Sequence, residues 1–351
     1  MHPAAWWTWA VGLAAVASRT TNPWLLVLVV LVASVTVLAR RTDAPWALSF
    51  RVYLWLGLTI VVLRVLFRVL LGGGYGTTVL VSLPVVPLPS WAAGITLLGP
   101  VTRESVLAGL YDGMRLAAIL ICIGAANALA NPRRLLAALP AALYEVGTAL
   151  VVALAVFPQL AESIGRVRRA RRLRGEPGRG ASGLRSLVVP VLEDALERSL
   201  KLAASMDTRG YGRAGTATQG ERRVTGTLLV AGLLGLCVGT YAFLDSTAPR
   251  VLATPLLVLG VLLAGAGFVA AGRRVQRTTY RPDPWRTAEW LTAGSGVAAA
   301  VLMTVVDPVV LVPDVALAPP LSALALVAVV LGLLPTVLTP PPALQAQEVL
   351  A

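Results

Sequence analysis

The sequence predicts an all-α, polytopic membrane protein with about eight apolar helices and one cytoplasmic amphipathic insert. Of its 351 residues, 57% are hydrophobic and only 13% are charged, and the mean hydropathy is +0.77. Soluble domains carry roughly 25% charged residues. Several stretches also approach the ~20 apolar residues that a helix needs to cross a bilayer. Basic residues are concentrated between the apolar runs, as expected for a chain threaded through a membrane.

The N-terminal part, residues 1–130, is predicted to form four transmembrane helices. The first run is short and ends at the sequence SRTTNP, and the second is stopped by Arg40 and Arg41. The fourth ends where Asn131-Pro132-Arg133-Arg134 returns the chain to the cytoplasmic side. The four apolar runs are Ala4–Ala17, 23–39, Trp46–Leu71 and Glu104–Ala130.

The segment Gly72–Pro100 is predicted to be an external loop. No lysine or arginine occurs between Arg68 and Arg103, and a long loop without positive charge is typical of the outer face. Its sequence VLVSLPVVPLPSWAAGITLLGP has short β-type runs separated by proline and glycine. Such punctuation indicates an irregular or partly stranded loop.

Residues 131–223 form the predicted cytoplasmic or interfacial insert, which holds more than half of the 30 basic residues. Within it, the apolar run 146–160 is interrupted by Pro158 and falls short of a bilayer crossing. A crossing there would also place the Arg-rich stretch Arg166–Arg185 outside. We therefore expect Ala141–Arg174 to form one or two helices that lie at, or dip into, the cytoplasmic face. The alternative is one true crossing together with a further span that the sequence does not reveal.

An amphipathic helix is predicted over Leu184–Thr208, because its apolar residues recur at helical spacing. Glu193, Glu197 and Lys201 form a polar stripe at intervals of four residues, and Asp194 is placed to pair with Arg198. One face of this helix is thus suited to lipid or other helices, and another to water or a protein partner.

The C-terminal part, residues 224–338, is predicted to add four more apolar helices. The sequence GRRVQRTTYRPDPWR between the second and third of them is strongly basic and therefore cytoplasmic. Residues 339–351 follow as a proline-led tail that we expect to be disordered. The four apolar runs are Val224–Leu244, Val251–Ala271, Ala288–Val306 and Leu317–Leu338.

Several classes of function are disfavoured by what the sequence lacks. His2 is the only histidine, and Cys122 and Cys237 both lie within apolar runs, so neither a metal site nor a disulfide is indicated. No phosphate-binding loop, nucleophile elbow or dinucleotide-binding turn is present. We expect no catalytic residue, metal ligand or cofactor. The net charge of +13 reflects the topology-determining loops, and the basic segments lack the aromatic interleaving typical of nucleic-acid binding.

Two helix ends in the insert finish with the same residue pair, at Leu173-Arg174-Gly175 and at Thr208-Arg209-Gly210. Helix capping alone could explain each end, since glycine commonly follows a helix and arginine suits its negative dipole end. Two such ends in one cytoplasmic insert are more suggestive. An arginine that projects from a capped helix end is well placed to reach a carboxylate on a partner.

At these positions the chain resembles the transmembrane T components of energy-coupling factor (ECF) transporters, the EcfT/CbiQ family, over roughly Met1 to Leu244. Both Arg-Gly triplets depart from the family pattern by lacking its alanine. The most specific match is the last of the four that follow. The matching residues are His2-Pro3 before a short helix and an Asn-containing turn, Phe157-Pro158-Gln159-Leu160 with Glu162 just beyond, Leu173-Arg174-Gly175, and Ser205-Met206-Asp207-Thr208-Arg209-Gly210-Tyr211.

The resemblance implies that the insert carries coupling helices. Their ends, Arg174-Gly175 and Arg209-Gly210, would dock into two ABC-type ATPase subunits, with Met206, Asp207, Tyr211, Pro158 and Glu162 in support. It further implies a membrane-embedded, substrate-binding S component as a partner, multi-pass insertion in the cell membrane, and uptake of a vitamin or a transition-metal ion. The protein itself would not be an enzyme.

Two other functions are compatible with a polytopic membrane protein. An ABC permease that binds substrate itself would need a polar cavity among its spans, and these spans are mostly apolar. A membrane-embedded enzyme, such as a lipid-modifying transferase, would need clustered carboxylates or histidines near the interface.

Overall fold

The computed structural model describes residues 1–42, 50–71, 76–87, 96–138, 141–175, 180–210, 218–244, 250–273 and 284–340. These ranges are mostly helical, in agreement with the predicted fold class. In chain order the α-helices are α1 (Pro3–Ser18), α2 (Pro23–Arg40), α3 (Phe50–Leu70), α4 (Arg103–Leu129), α5 (Pro132–Ala137), α6 (Tyr144–Leu173), α7 (Gly180–Thr208), α8 (Gln219–Leu244), α9 (Arg250–Arg273), α10 (Thr287–Leu302), α11 (Pro308–Leu311), α12 (Ala323–Val330) and α13 (Leu334–Leu338).

Six helices of the described part are long and apolar enough to cross a membrane: α2, α3, α4, α8 and most of α6 and α9. This finding confirms an all-α, multi-pass membrane protein. Each of the eight predicted apolar runs contains a helix. The first, seventh and eighth runs form shorter helices, α1, α10 and the α12–α13 segment. The predicted tail, residues 339–351, lies largely outside the described residues.

In its described residues, the predicted external loop contains two small antiparallel strand pairs, in agreement with its β-type runs. Strand β1 (Val79–Ser82) pairs with β4 (Pro100–Thr102), and β2 (Val86–Pro87) pairs with β3 (Thr96–Leu97). The Glu104 carboxylate accepts hydrogen bonds from the Thr78 hydroxyl (2.7 Å) and from the Thr78 backbone N–H (3.3 Å). These bonds attach the start of the loop to the first turn of α4.

The chain divides into two compact units, one formed by Met1–Ala138 with Pro282–Ala351 and the other by Leu139–Arg281. In the first unit, α1 packs against α4 and α10, and α2 packs against α4. Trp9, Leu13 and Val29 are fully buried there. Gly12 of α1 meets Gly296 of α10 so closely that a Cβ atom at either position would overlap the opposite backbone.

Polar contacts join the C-terminal helices to the turn between α1 and α2. The Thr20 hydroxyl donates to the backbone oxygen of Leu311 (2.7 Å). The Asn22 side-chain amide donates to the backbone oxygens of Val310 (3.0 Å) and Pro320 (2.8 Å). Thr20 and Asn22 are both fully buried. Because a buried polar group without a partner is costly, these bonds fix the C-terminal segment onto the N-terminal helices.

In the second unit, α8 and α9 form a tightly packed pair. Gly232, Gly235 and Gly239 of α8 let the backbone of α9 approach closely at Ala264, Gly260 and Leu257. Small residues serve this purpose between membrane helices, where burial of apolar surface from water provides no driving force. Most large apolar side chains of both helices are exposed, as expected of helices that face lipid.

One expectation about α6 is wrong. Pro158 is expected to interrupt the apolar run 146–160, but it lies inside α6, a single helix of 30 residues. An interior proline removes one backbone hydrogen bond and can kink a helix without ending it, and the alanine, leucine, glutamate and arginine residues after Pro158 favour helix. Val146–Leu173 is therefore long enough to cross a membrane. Its length no longer argues against the alternative that this segment spans the bilayer instead of lying at the cytoplasmic face.

Candidate functional site

Helix α7 presents three different faces. Asp194, Arg198, Leu202 and Met206 lie on the side of α6. A second face carries the predicted polar stripe, in which Lys201 and Glu197 form an ion pair of 2.6 Å. The third face is an exposed apolar stripe in which each side chain is more than half exposed. Its members are Val189, Leu192, Leu196 and Leu200.

Asp194 connects α7 to α6. Its Oδ2 atom accepts hydrogen bonds from the Ser163 hydroxyl (2.7 Å) and from Arg166 Nη2 (3.0 Å), both on α6. Its Oδ1 atom accepts from Arg198 Nε (3.0 Å), one turn further along α7, which confirms the predicted Asp194–Arg198 pair. Ser163 is 3% exposed. Exposed ion pairs contribute little to stability, so the main effect of this network is to fix where the two helices meet.

The network also holds the charge on Asp194. The Ser163 hydrogen bond is the largest cause that lowers the pKa of the Asp194 carboxyl below its usual value, and Arg198 and Arg166 act in the same direction against the effect of burial. Because the pKa of Asp194 is lower in the folded chain than in the unfolded chain, ionised Asp194 stabilises the fold. This stabilisation is complete above the pKa of the unfolded chain and is lost as the pH falls through the lower pKa of the folded chain. Asp194 therefore stays ionised throughout the neutral range.

On one side of Asp194 the two helices line a cavity of about 470 Å³. It is lined by α6 between Val151 and Ser163 and by α7 between Asp194 and Met206. Its walls are mostly aliphatic, and its polar end is formed by Ser163, Asp194 and Arg198. The α6–α7 pair is thus joined at a polar contact and open beyond it.

Both helix ends adopt the same capped geometry. Gly175 and Gly210 have φ angles of +70° and +78°, the left-handed region that glycine adopts without strain. The Gly175 N–H donates to the backbone oxygen of Arg172 (3.2 Å), and the Gly210 N–H donates to that of Asp207 (2.9 Å). These glycines end the helices. Arg174 and Arg209, immediately before them, are exposed; we name these two ends, Arg174-Gly175 and Arg209-Gly210, the arginine tips.

The two arginine tips lie apart from each other. Arg174 lies about 16 Å beyond Ser163 along α6, and Gly180 lies about 21 Å before Asp194 along α7. Residues 176–179, which join the helices, can span at most about 18 Å. The start of α7 must therefore return towards the end of α6, and the remainder of α7 runs away from it. Helix α7 measures about 43 Å from Gly180 to Arg209, and Arg174 lies at most about 22 Å from Gly180. The two tips are therefore at least about 20 Å apart.

The other residues expected to support the tips are spread along both helices. Pro158 and Glu162 are exposed on α6. Met206 is half-buried and lines the cavity, whereas Asp207 is exposed. Tyr211 lies outside the described residues. The sequence did not indicate Ser163 and Arg166 as partners of Asp194, because a single serine before a run of arginines carries no distinctive pattern.

A model of the CbiQ family, described as cobalt transport protein, matches residues 3–219. The match covers more than half of the chain and includes both arginine tips and the Asp194 network. The chain belongs to the CbiQ family. It is accordingly a component of a membrane transporter rather than an enzyme. No curated protein matches the sequence.

The CbiQ match ends at the first residue of α8, so α8 to α13 lie beyond it. Among the described residues, no group of three or more His, Cys, Asp and Glu side chains is placed to hold a metal ion. The features that distinguish the matched region are therefore the two capped arginine tips and the contact between α6 and α7.

Proposed function

We propose that this CbiQ-family protein is the coupling subunit of an ECF-type transporter and connects two ABC-type ATPase subunits to a membrane-embedded S component. The observation that carries the proposal is the pair of exposed, similarly capped arginine tips at the ends of two helices. A separation of at least about 20 Å prevents both tips from entering one small groove and suits one ATPase subunit for each tip.

The chemistry of the tips suits docking to an acidic groove. A guanidinium group stays charged and offers a planar fork to a carboxylate. The glycine cap ends each helix directly after the arginine, so that no further helical turn obstructs a partner. Capping alone would not require the arginine to be exposed at both ends.

Movement of the ATPases on binding ATP would displace one tip relative to the other. Helices α6 and α7 would transmit that displacement to apolar surfaces such as the stripe of Val189, Leu192, Leu196 and Leu200. An S component in the membrane would respond by releasing a micronutrient, a vitamin or a transition-metal ion, to the cytoplasm.

The assembly can be tested by its stoichiometry and its activity. The purified chain is expected neither to bind nor to hydrolyse ATP, because its sequence carries no phosphate-binding loop. After co-expression with the ATPase pair, native mass spectrometry should detect two ATPase subunits for each chain, together with ATP hydrolysis. Hydrolysis by the chain alone, or a complex that holds a single ATPase, would contradict the proposal.

The proposal also requires a topology in which Arg166–Arg223 is cytoplasmic and Gly72–Pro100 is external. Single cysteines can be introduced as Lys201→Cys and Val85→Cys after replacement of Cys122 and Cys237, the latter of which is exposed. A membrane-impermeant maleimide added to intact cells should label the cysteine at position 85 and should reach that at position 201 only after permeabilisation. Labelling of position 201 in intact cells would refute this topology.

A further inference from the structure

We propose that Asp194 is the joint about which α6 and α7 pivot, and that Ser163 and Arg166 are the residues of α6 that hold this joint. The inference rests on the proposed coupling function for its role in transport. The joint itself is argued from contacts within the α6–α7 pair. Asp194 receives two hydrogen bonds from α6 on one oxygen atom, Oδ2.

The position of Asp194 makes it a pivot. From the Ser163–Asp194 contact, one arm of α6 and one arm of α7 extend along the cavity of about 470 Å³. The α6 arm leads back to the apolar residues near Val146, about 25 Å away, and the α7 arm leads to Arg209, about 22 Å away. A displacement of the Arg209 tip therefore changes the angle between these arms, and the cavity widens or narrows accordingly.

The chemistry of the joint allows rotation without separation. Serine and arginine hydrogen bonds to one carboxylate oxygen keep two helices together at a point, whereas an interdigitated apolar contact resists any change of angle. The charge that holds Arg166 persists at neutral pH, because the Asp194 carboxyl remains ionised. Two other acidic groups near this contact are Glu162, which is exposed one turn earlier on the same face of α6 as Arg166, and Glu197 of α7, which is bound to Lys201.

The chain contains a matched control for this role. Arg166 and Arg198 each donate to Asp194 at 3.0 Å, and their side chains are 46% and 43% exposed. Arg166 reaches Asp194 from the other helix, whereas Arg198 lies on the same helix. Arg166→Gln therefore loosens the joint between the helices. Arg198→Gln also removes one positive charge that pairs with Asp194, but it leaves the contact between α6 and α7 in place.

Spin labels on the two arms can measure the distance between α6 and α7 directly. Val146→Cys and Ala204→Cys place labels at exposed positions on α6 and α7, in a background without Cys122 and Cys237. A rotation of about 10° would move Ala204, about 15 Å from Asp194, by about 3 Å. Pulsed electron paramagnetic resonance on the full chain in lipid nanodiscs would give the distance distribution, first alone and then with the ATPase pair and ATP.

The parent and the Arg198→Gln variant are expected to give one narrow distribution, which ATP shifts by a few ångströms (about 3 Å for about 10°) when the ATPases are bound. Arg166→Gln and Asp194→Asn should broaden the distribution of the chain alone and remove the shift, although the ATPases still co-purify. Asp194→Glu, which keeps the carboxylate, should restore part of the shift.

The proposed joint would be overturned if Arg166→Gln gave the same spin-label distance distribution as the parent. It would also be overturned if Arg198→Gln broadened that distribution as much as Arg166→Gln does. Those outcomes are read from the chain alone and leave the proposed function untouched. Failure of the parent to co-purify with any ATPase would instead overturn the proposed function, whatever the distributions of the variants.

Discussion

Replacement of both Arg174 and Arg209 by alanine is expected to abolish assembly with the ATPase subunits, and with it transport, while the chain still inserts into the membrane. Removal of one member of a buried, hydrogen-bonded charge pair typically costs about 2–5 kcal/mol, which weakens binding by roughly 30-fold or more. Each single variant should lose one docking contact, and the double variant should lose both. Co-purification of the ATPases, normalised to the amount of chain in the membrane, measures the effect.

Arg172→Ala is the matched control for this experiment. Arg172 is exposed in the last turn of α6, so it interacts with the helix dipole much as Arg174 does, but it lies before the tip. If the arginines served only as helix caps, all these variants would cost a few tenths of a kcal/mol, the low end of dipole effects of about 0.3–1 kcal/mol. If Arg174→Ala, Arg209→Ala and their combination all co-purified with the ATPases as well as the parent does, docking by the tips would be refuted.

Gly12→Leu is expected to prevent the first unit from forming its native packing. A Cβ atom at Gly12 overlaps the backbone of Gly296, and backbone cannot rotate aside as a side chain can. Overpacking of a core typically costs about 1–3 kcal/mol, occasionally more, and here α1 and α10 must separate. Thermal unfolding of the detergent-solubilised chain should show a large fall in Tm or no folded protein.

Gly294→Ala provides the control on the opposite helix. A Cβ atom at Gly294 has no neighbour within 4 Å, and alanine favours helix over glycine by about 1 kcal/mol. Its Tm should therefore equal or exceed that of the parent. A Gly12→Ala variant that melts at the parental temperature would show that α1 and α10 do not approach as closely as the structure indicates.

Local sequence patterns predicted the helices and their ends well. Long apolar runs leave little choice but helix in a membrane, and the glycines at 175 and 210 cap helices as their position suggested. The length of α6 could not be predicted, because whether Pro158 ends or only kinks a helix depends on the residues packed around it. The spacing of Asp194 and Arg198 was visible in the sequence, because both lie on one helix.

Contacts between distant segments were not predictable in the same way. Ser163 and Arg166 become partners of Asp194 only through the angle at which α6 and α7 meet, and no periodicity encodes that angle. The packing of α10 to α13 on α1 and α2 was likewise unforeseen. Gly12 and Gly296 are two glycines among 32, and only the folded chain shows that they touch.

The bonds between the α1–α2 turn and the C-terminal segment have a consequence for biosynthesis. Asn22 donates to the backbone of Val310, 288 residues further along the chain. Since ribosomes add about 5–20 residues per second, the first two helices wait roughly 15–60 s for their partners after they leave the ribosome. During that interval Thr20 and Asn22 lack the acceptors that later satisfy them, and α1 lacks α10. We expect α1 and α2 to depend on the membrane insertion machinery for protection until Val310 and Pro320 have been synthesised and can accept these hydrogen bonds.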